Sequence, residues 1–238
     1  GRREQFVSVL AHDLRGPLTA ASLAAELLQR ALDGAQRTLA TRISRSVDHA
    51  VRMVRDLLDT QQMVAVGRVP LQLGPCDLEQ IVRDVVDGLE QGAERVQVKR
   101  VGQPLRGVWD GSQVQRAVWN LVSNALKYGA SSAPVEVLLR HAPPHAELCV
   151  HNEGPAIPAR DQATLFEPYR RAQAASGREG WGLGLTFVRG CALAHGGSVT
   201  VESRDGFGTT FTLRLPWDAS PSQAAPAARG PGLHRSAG

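Results

Sequence analysis

A chain of 238 residues that is 42% hydrophobic but only 5% aromatic, with a formal charge of +4, can build one or two domains on small aliphatic side chains. Its arginines are scattered without interleaved aromatics, which argues against a nucleic-acid surface; an anionic ligand or an acidic partner explains the mild excess as well. Cys76, Cys149 and Cys191 form no C-x-x-C pair or zinc spacing, so three reduced thiols in a reducing, cytoplasmic setting are expected. No run approaches the roughly 20 apolar residues of a membrane span, and the start has no signal-peptide pattern. It opens on Gly1-Arg2-Arg3-Glu4, helix-like and uncapped, as if cut from something longer.

From about Glu4 to Leu32, Val7, Leu10, Leu14, Leu18, Ala21, Ala25, Leu28 and Leu32 recur at steps of three or four. That spacing predicts a helix with a heptad-like seam, with His12 off it and facing solvent. Asp33-Gly34 breaks it. A second helix is expected from about Gln36 to Val64, with Leu39, Ile43, Ser46, Ala50, Met53, Leu57 and Val64 on one side. Such an antiparallel helical hairpin has one narrow seam. Pairing with a second copy as a dimeric four-helix bundle would bury it; packing on the rest of the same chain is the alternative.

Gly67–Gly74 reads as a linker running into a strand at Val69–Leu73. A helix over Leu78–Leu89 opens after Asp77 as N-cap. Strands are expected at Arg95–Val101 and Leu105–Trp109, and a helix at Ser112–Tyr128. Val135–His141 and Ala146–His151 form a hairpin around Pro143-Pro144. After the polar, glycine-rich stretch 169–180 comes a helix over Leu183–His195, stopped by Gly196-Gly197, then strands at Ser198–Ser203 and Thr209–Leu215. The class is α+β: the hairpin over 1–66, then an α/β sandwich over 67–217 with helices on one face of a mixed sheet. A tail over 218–238, rich in Ala, Pro, Ser, Gly and Arg, should be disordered.

Four motifs carry chemistry. His12-Asp13-Leu14-Arg15-Gly16-Pro17-Leu18 places an imidazole nucleophile beside a carboxylate that can take its proton or orient the ring. Pro17 removes the amide that would bond the Asp13 carbonyl, which bends the helix there. An exposed histidine beside a proline kink is the plainer account. Asn120 and Asn124 lie four apart on one helical face, with Lys127 three further on and Tyr128 next to it. Amide oxygens suit Mg²⁺, which shares its shell with waters and phosphates. Asn152-Glu153-Gly154-Pro155-Ala156 follows a strand and can read an adenine edge. Gly180-Trp181-Gly182-Leu183-Gly184-Leu185 opens a helix whose free amides favour phosphate.

The order of these motifs, together with Leu165–Tyr169 and Gly206–Phe211, resembles the sensor histidine kinases of two-component systems over about residues 4–216. The resemblance implies a dimerisation and phosphotransfer bundle followed by a Bergerat-type ATP-binding domain, shared with gyrase-like and heat-shock ATPases. It implies ATP and Mg²⁺, a homodimer, an upstream sensor module outside this chain, and transfer to an aspartate of a response regulator receiver domain. His12 would be the phospho-acceptor and Asp13 its base or orienting acid. Asn124 would hold Mg²⁺ with Asn120 in support, Lys127 would contact phosphate, and Tyr128 would line the nucleotide site. Asn152 would bind the adenine amino group on the turn of Gly154 and Ala156. Phe166 and the 169–180 stretch would form a mobile lid. Gly180, Gly182, Leu183, Gly184 and Leu185 would shape the phosphate turn, and Thr209 would assist the adenine pocket.

Three positions depart from the family pattern. Asn152 stands where Asp is usual, and its amide carries a donor that needs an acceptor. The expected loss of ATP affinity is roughly 1 kcal/mol. Ala156 replaces a common glycine, and the Asn-Glu-Gly-Pro variant resembles bacteriophytochrome-type kinases, which hints at light sensing upstream. Gly16 replaces the Thr or Asn that positions water for dephosphorylating the partner, which biases the chain toward kinase and against phosphatase activity. A non-catalytic dimerising scaffold that still binds nucleotide, and a gyrase-like ATPase without phosphotransfer, are the competing readings. His49 lacks the Arg-Gly-Pro context, and His195 reads as a helix-end residue.

Overall fold

The computed structural model describes residues 71–89, 91–168 and 183–220, and residues 20–51 apart from 22, 26, 29, 45, 46, 48 and 49. His12, Asp13, Gly16, Tyr169, Gly180 and Gly182 lie outside the described residues, as do the seam positions Val7–Leu18, Ser46 and Met53–Val64. Among the described residues no helix is long and apolar enough to cross a membrane.

The described residues are helical between 20 and 31 (α1) and between 34 and 51 (α2). Leu32 and Asp33 are not helical, and Gly34 has φ +59°, so the hairpin turns where Asp33-Gly34 was expected to break it. The apolar seam divides in two. Ala25 and Ala40 are 2% exposed and Ser44 is buried, whereas Leu39 and Ile43 stay 57% and 52% exposed, with Leu23, Leu27 and Leu28 also open. A two-helix hairpin can bury only one line of small residues, which leaves a second apolar stripe uncovered.

The rest of the chain builds two sheets. Strand β1 is Gly74–Asp77, α3 Leu78–Asp87, β2 Val96–Val101, β3 Arg106–Trp109 and α4 Gly111–Tyr128. Then come β4 Val135–Ala142, β5 His145–Asn152, the short α5 Ala159–Gln162, α6 Gly184–Ala194, β6 Ser198–Arg204 and β7 Gly208–Pro216. The main sheet has the order β2-β4-β5-β7-β6, with β2 and β4 parallel and the other neighbours antiparallel. β1 and β3 form a separate antiparallel pair.

The first strand among the described residues is Gly74–Asp77; of the strand expected at Val69–Leu73 only residues 71–73 are described. Residues 71–73 have no regular structure. The Gln72 amide is taken by the Asp110 carboxylate at 2.9 Å, so no ladder bond is left for it to make. Asp110 also accepts from Gln113 N and Ser112 Oγ, and it caps α4 as Asp77 caps α3.

One face of the main sheet makes the core. Val135, Val137 and Leu139 of β4, Ala146, Leu148 and Val150 of β5, and Phe211, Leu213 and Leu215 of β7 are all buried. The period of two puts them on one side, against α3, α4 and α6. On the other side Glu147 is nearly buried between its two cross-strand partners, 2.6 Å from Arg214 Nε and 3.5 Å from Arg140. A carboxylate flanked by two guanidinium groups tolerates that burial.

His195 sits at the C-terminal end of α6 and is completely buried. Its Nε2 accepts the Asp110 backbone N–H at 3.0 Å, and its Nδ1–H donates to the Cys191 carbonyl at 2.8 Å. That pairing requires the neutral ring. Burial holds the His195 pKa below its usual value, with the Cys191 carbonyl and Asp110 opposing. The unfolded chain therefore binds the extra proton first, so this contribution is complete above about pH 6.5 and is lost as pH falls through the native pKa. Urea denaturation of His195→Gln at pH 7.5 and pH 5.5 should show a flatter pH response than wild type; parallel responses would refute this. The neighbouring Cys191 thiol is pushed up to about 12 by burial and is chemically inert.

Disorder from residue 218 does not hold at its start. Val108 N donates to Trp217 O at 2.8 Å, and Ala219 N donates to Val108 O at 3.0 Å. Asp218 bridges β3 in parallel. Trp217 packs on His141 at 4.7 Å between ring centroids. Residues 217–220 thus belong to the sandwich, because the free edge of β3 supplies backbone partners that composition does not reveal. Residues 221–238 lie outside the described residues.

Candidate functional site

Three of the sequence motifs converge on the C-terminal half of α4. Asn120 is buried, and its Nδ2 donates to the Arg116 carbonyl one turn back at 3.0 Å. Its Oδ1 then faces Gly184: a Cβ at Gly184 would stand 2.5 Å from that oxygen. Only glycine lets α6 start this close to α4. Asn124 lies one turn beyond Asn120 on the same face and is half-buried. Lys127 and Tyr128 are half-buried at the helix end, with the ammonium 5.4 Å from the ring centroid.

α6 opens after Leu183, which gives no side-chain cap. Leu183 O accepts from Phe187 N at 2.9 Å. Arg116 lies over the Phe187 ring at 3.9 Å, adding positive charge between the two helices. The first amides of an uncapped helix are donors for an anion. Leu183 and Leu185 themselves point into the core and anchor that end.

The second wall is the end of β5. Asn152 is buried there, opposite Thr209 of β7. Its Nδ2 donates to the Glu153 carbonyl at 3.2 Å. One of the two N–H donors that set Asn apart from Asp is thus satisfied inside the protein. Gly154, at φ +152°, lies on the end of α4, where a Cβ would come within 3.1 Å of Tyr128 O and 3.4 Å of Ala130 N. At Gly208 (φ +82°) a Cβ would overlap Asn152 O. These close approaches join the Asn-rich helix, the Asn-Glu-Gly turn and the β6–β7 turn into one site.

Three contributors escape a reading of the motifs. The Ser203 and Thr209 hydroxyls are 2.6 Å apart, and Ser203 Oγ also accepts from Ile157 N at 2.9 Å. Gln162 Nε2 donates to Ile157 O and Ser203 O at 2.7 and 3.0 Å. Together they fasten the turn that carries half-buried Ala156 to β6. Arg95, from the connection before β2, holds the loop after α4. Ser203 could have been found by pairing it with Thr209 across the Gly206-Phe207-Gly208 turn; nothing local marks Arg95 or Gln162.

Phe166 packs edge-on against Phe211 at 6.3 Å and an interplanar angle of 87°, partly buried on the core. It anchors the segment that leads into residues 169–180, the rest of the expected lid, which lie outside the described residues.

A mixed five-stranded sheet covered by helices on one face, with the Asn-rich helix and a glycine-opened helix meeting at its end, defines an ATP-binding sandwich. The family described as "Histidine kinase-, DNA gyrase B-, and HSP90-like ATPase" matches residues 109–219. The His Kinase A (phospho-acceptor) domain family matches residues 2–65, which contain His12. The chain belongs to the sensor histidine kinases of two-component systems.

It is similar to the sensor-like histidine kinase SenX3 of Mycobacterium tuberculosis, 31% identical over 221 residues, covering 90% of this chain and 54% of the relative. The bacteriophytochrome of Pseudomonas aeruginosa is 33% identical over 217 residues, covering 90% of this chain and 30% of its own length. Full-length ShkA, solved in complex with AMPPNP, superposes with a TM-score of 0.68 at 26% identity, covering 90% of this chain and 46% of that one. The chain thus spans about half the length of SenX3, and less of the bacteriophytochrome.

Proposed function

We propose that this chain is an ATP-dependent protein histidine kinase that phosphorylates His12 and passes the phosphoryl group to an aspartate of a response regulator receiver domain. The observation that carries this reading is the meeting of Asn120, Gly184, Asn152 and Thr209 around one end of α4, in a chain that also bears His12-Asp13. ShkA binding AMPPNP supports the nucleotide.

The residues present fit ATP and Mg²⁺. Glycine at 184 leaves room where a Cβ would meet Asn120, the first turn of α6 offers uncapped amides, and the Asn120 and Asn124 amide oxygens are hard donors. Asn124 would hold Mg²⁺ with Asn120 in support, and the ion neutralises phosphate charge. Lys127 and the start of α6 bind and orient the phosphates, while Asn152 Oδ1 accepts from the adenine amino group. Asp13 takes the His12 proton as the ring attacks. The bond from the γ-phosphorus to the leaving diphosphate breaks and a P–N bond forms. Most of the acceleration is positioning and charge neutralisation.

The exposed Leu23, Leu27, Leu28, Leu39 and Ile43 support a homodimer in which two hairpins cover each other's stripe. A cytoplasmic setting shared with the regulator is part of the same proposal. Asn152 and Ala156 are the changes a degenerate scaffold would show; the bond from Asn152 Nδ2 to Glu153 O supports a working nucleotide site instead.

Incubation with γ-labelled ATP and Mg²⁺ tests the reading. Acid-labile, alkali-stable label on the protein is expected. Nucleotide binding without label would favour the scaffold, and hydrolysis without label the gyrase-like ATPase. Glycine at 16 has no side chain to hold a water, so weak phosphatase activity is part of the same proposal. Gly16→Thr should speed loss of phosphate from the regulator; equal rates in wild type and variant would remove that part.

A further inference from the structure

Asn152 can turn either end of its amide toward a purine, and the two ends suit opposite bases. Oxygen outward accepts from a 6-amino group; nitrogen outward donates to a 6-oxo group. An aspartate has no such ambiguity. In this chain the choice is made by Glu153 O, which receives Asn152 Nδ2 at 3.2 Å.

That carbonyl is itself held in place. Ala130 N donates to Glu153 O at 2.7 Å. Arg95 then grips the same loop from outside: Nη2 donates to Ala130 O at 2.5 Å and to Ala133 O at 3.0 Å, and Nε donates to Ala133 O at 3.2 Å. The Arg95 turn rests on α4, with Arg95 N bonded to Gly92 O and Gly92 packed so closely on Leu126 that a Cβ would meet it at 3.0 Å. Gly129 completes the contact, since a Cβ there would stand 3.0 Å from Asn152 Cβ and 3.2 Å from Glu153 O.

We propose that Arg95 is a specificity-positioning residue: through Ala130 and Glu153 it locks the Asn152 amide with its oxygen toward the base, and so selects a 6-aminopurine over a 6-oxopurine. Arg95 touches no nucleotide in this scheme. A guanidinium spanning two carbonyls gives a rigid bidentate clamp that lysine cannot reproduce. The inference rests on the reading of Asn152 as the base contact.

The test compares dissociation constants of ATP and inosine triphosphate for the full chain, by calorimetric titration, in wild type, Arg95→Met, Asn152→Asp and the double variant. Arg95→Met should lower the ATP-to-ITP preference at least fivefold, because the freed amide can flip and donate to the 6-oxo group. In the Asn152→Asp background, where a flip changes nothing, Arg95→Met should leave the ratio within twofold. A purely structural role for Arg95 would weaken both nucleotides equally in both backgrounds and would overturn the proposal, as would an unchanged ratio in Arg95→Met. If wild type binds ATP and ITP equally, Asn152 is not locked and the proposal fails while the nucleotide site stands. If it binds neither, the site itself is refuted.

Discussion

Trp109→Ala is expected to destabilise the sandwich by about 3–5 kcal/mol, out of a total stability of about 5–15 kcal/mol. The indole is completely buried, and its Nε1 donates to the Pro216 carbonyl at 2.5 Å. It fills the space over Gly107 so fully that a Cβ there would overlap the ring. Truncation therefore opens a large cavity and strips Pro216 O of its partner at once. The same corner secures the C-terminal segment, since the Trp217 ring lies 6.5 Å from Trp109 and the segment's backbone bonds to Val108. Ending the chain after Pro216 should accordingly lower the melting temperature, whereas ending it after Ser220 should not. Urea denaturation of Trp109→Ala and thermal melts of the two truncations decide the matter; a Trp109→Ala cost below about 1 kcal/mol would mean that the corner repacks.

Gly184→Ala should lower nucleotide affinity at least tenfold, which corresponds to about 1.4 kcal/mol. The added methyl would stand 2.5 Å from Asn120 Oδ1. Asn120 cannot step aside cheaply, because it is buried and its amide is bonded to Arg116 O. Alanine is the stronger helix former, but that gain does not offset a forced shift at the α4–α6 contact. The ligand-free melting temperature should therefore fall as well, with a cooperative transition retained and nucleotide titration showing the loss of affinity in the folded protein. A missing transition would point to misfolding of α6 instead.

What the sequence made legible was whatever depends on near neighbours. The Asn-bearing helix, expected at Ser112–Tyr128, runs over Gly111–Tyr128 because its cap and its periodicity are both local. The β4–β5 hairpin and the last two strands were read from alternation for the same reason. What escaped is long-range. The start of β1 depends on Asp110 taking the Gln72 amide, and the ordering of 217–220 depends on a free β3 edge. Arg95 reaches carbonyls 35 and 38 residues away, and no motif announces such a clamp. Leu39 and Ile43 illustrate a different limit. Periodicity marks them as apolar and aligned, but it does not say whether the covering surface belongs to the same chain. At the site, Gly154 and Gly184 are legible as turn residues, but the atoms that they and Gly208 must avoid emerge only from the packing.

Two adjacent domains, one carrying an imidazole and the other a nucleotide site, make a kinase only if phosphoryl passes between them. Labelling wild type, His12→Gln and Gly184→Ala with γ-labelled ATP tests this most directly. Acid-labile label is expected on wild type, none on His12→Gln although it binds ATP normally, and strongly reduced label on Gly184→Ala at low nucleotide. Undiminished label on His12→Gln would place the acceptor elsewhere and refute phosphoryl transfer to His12.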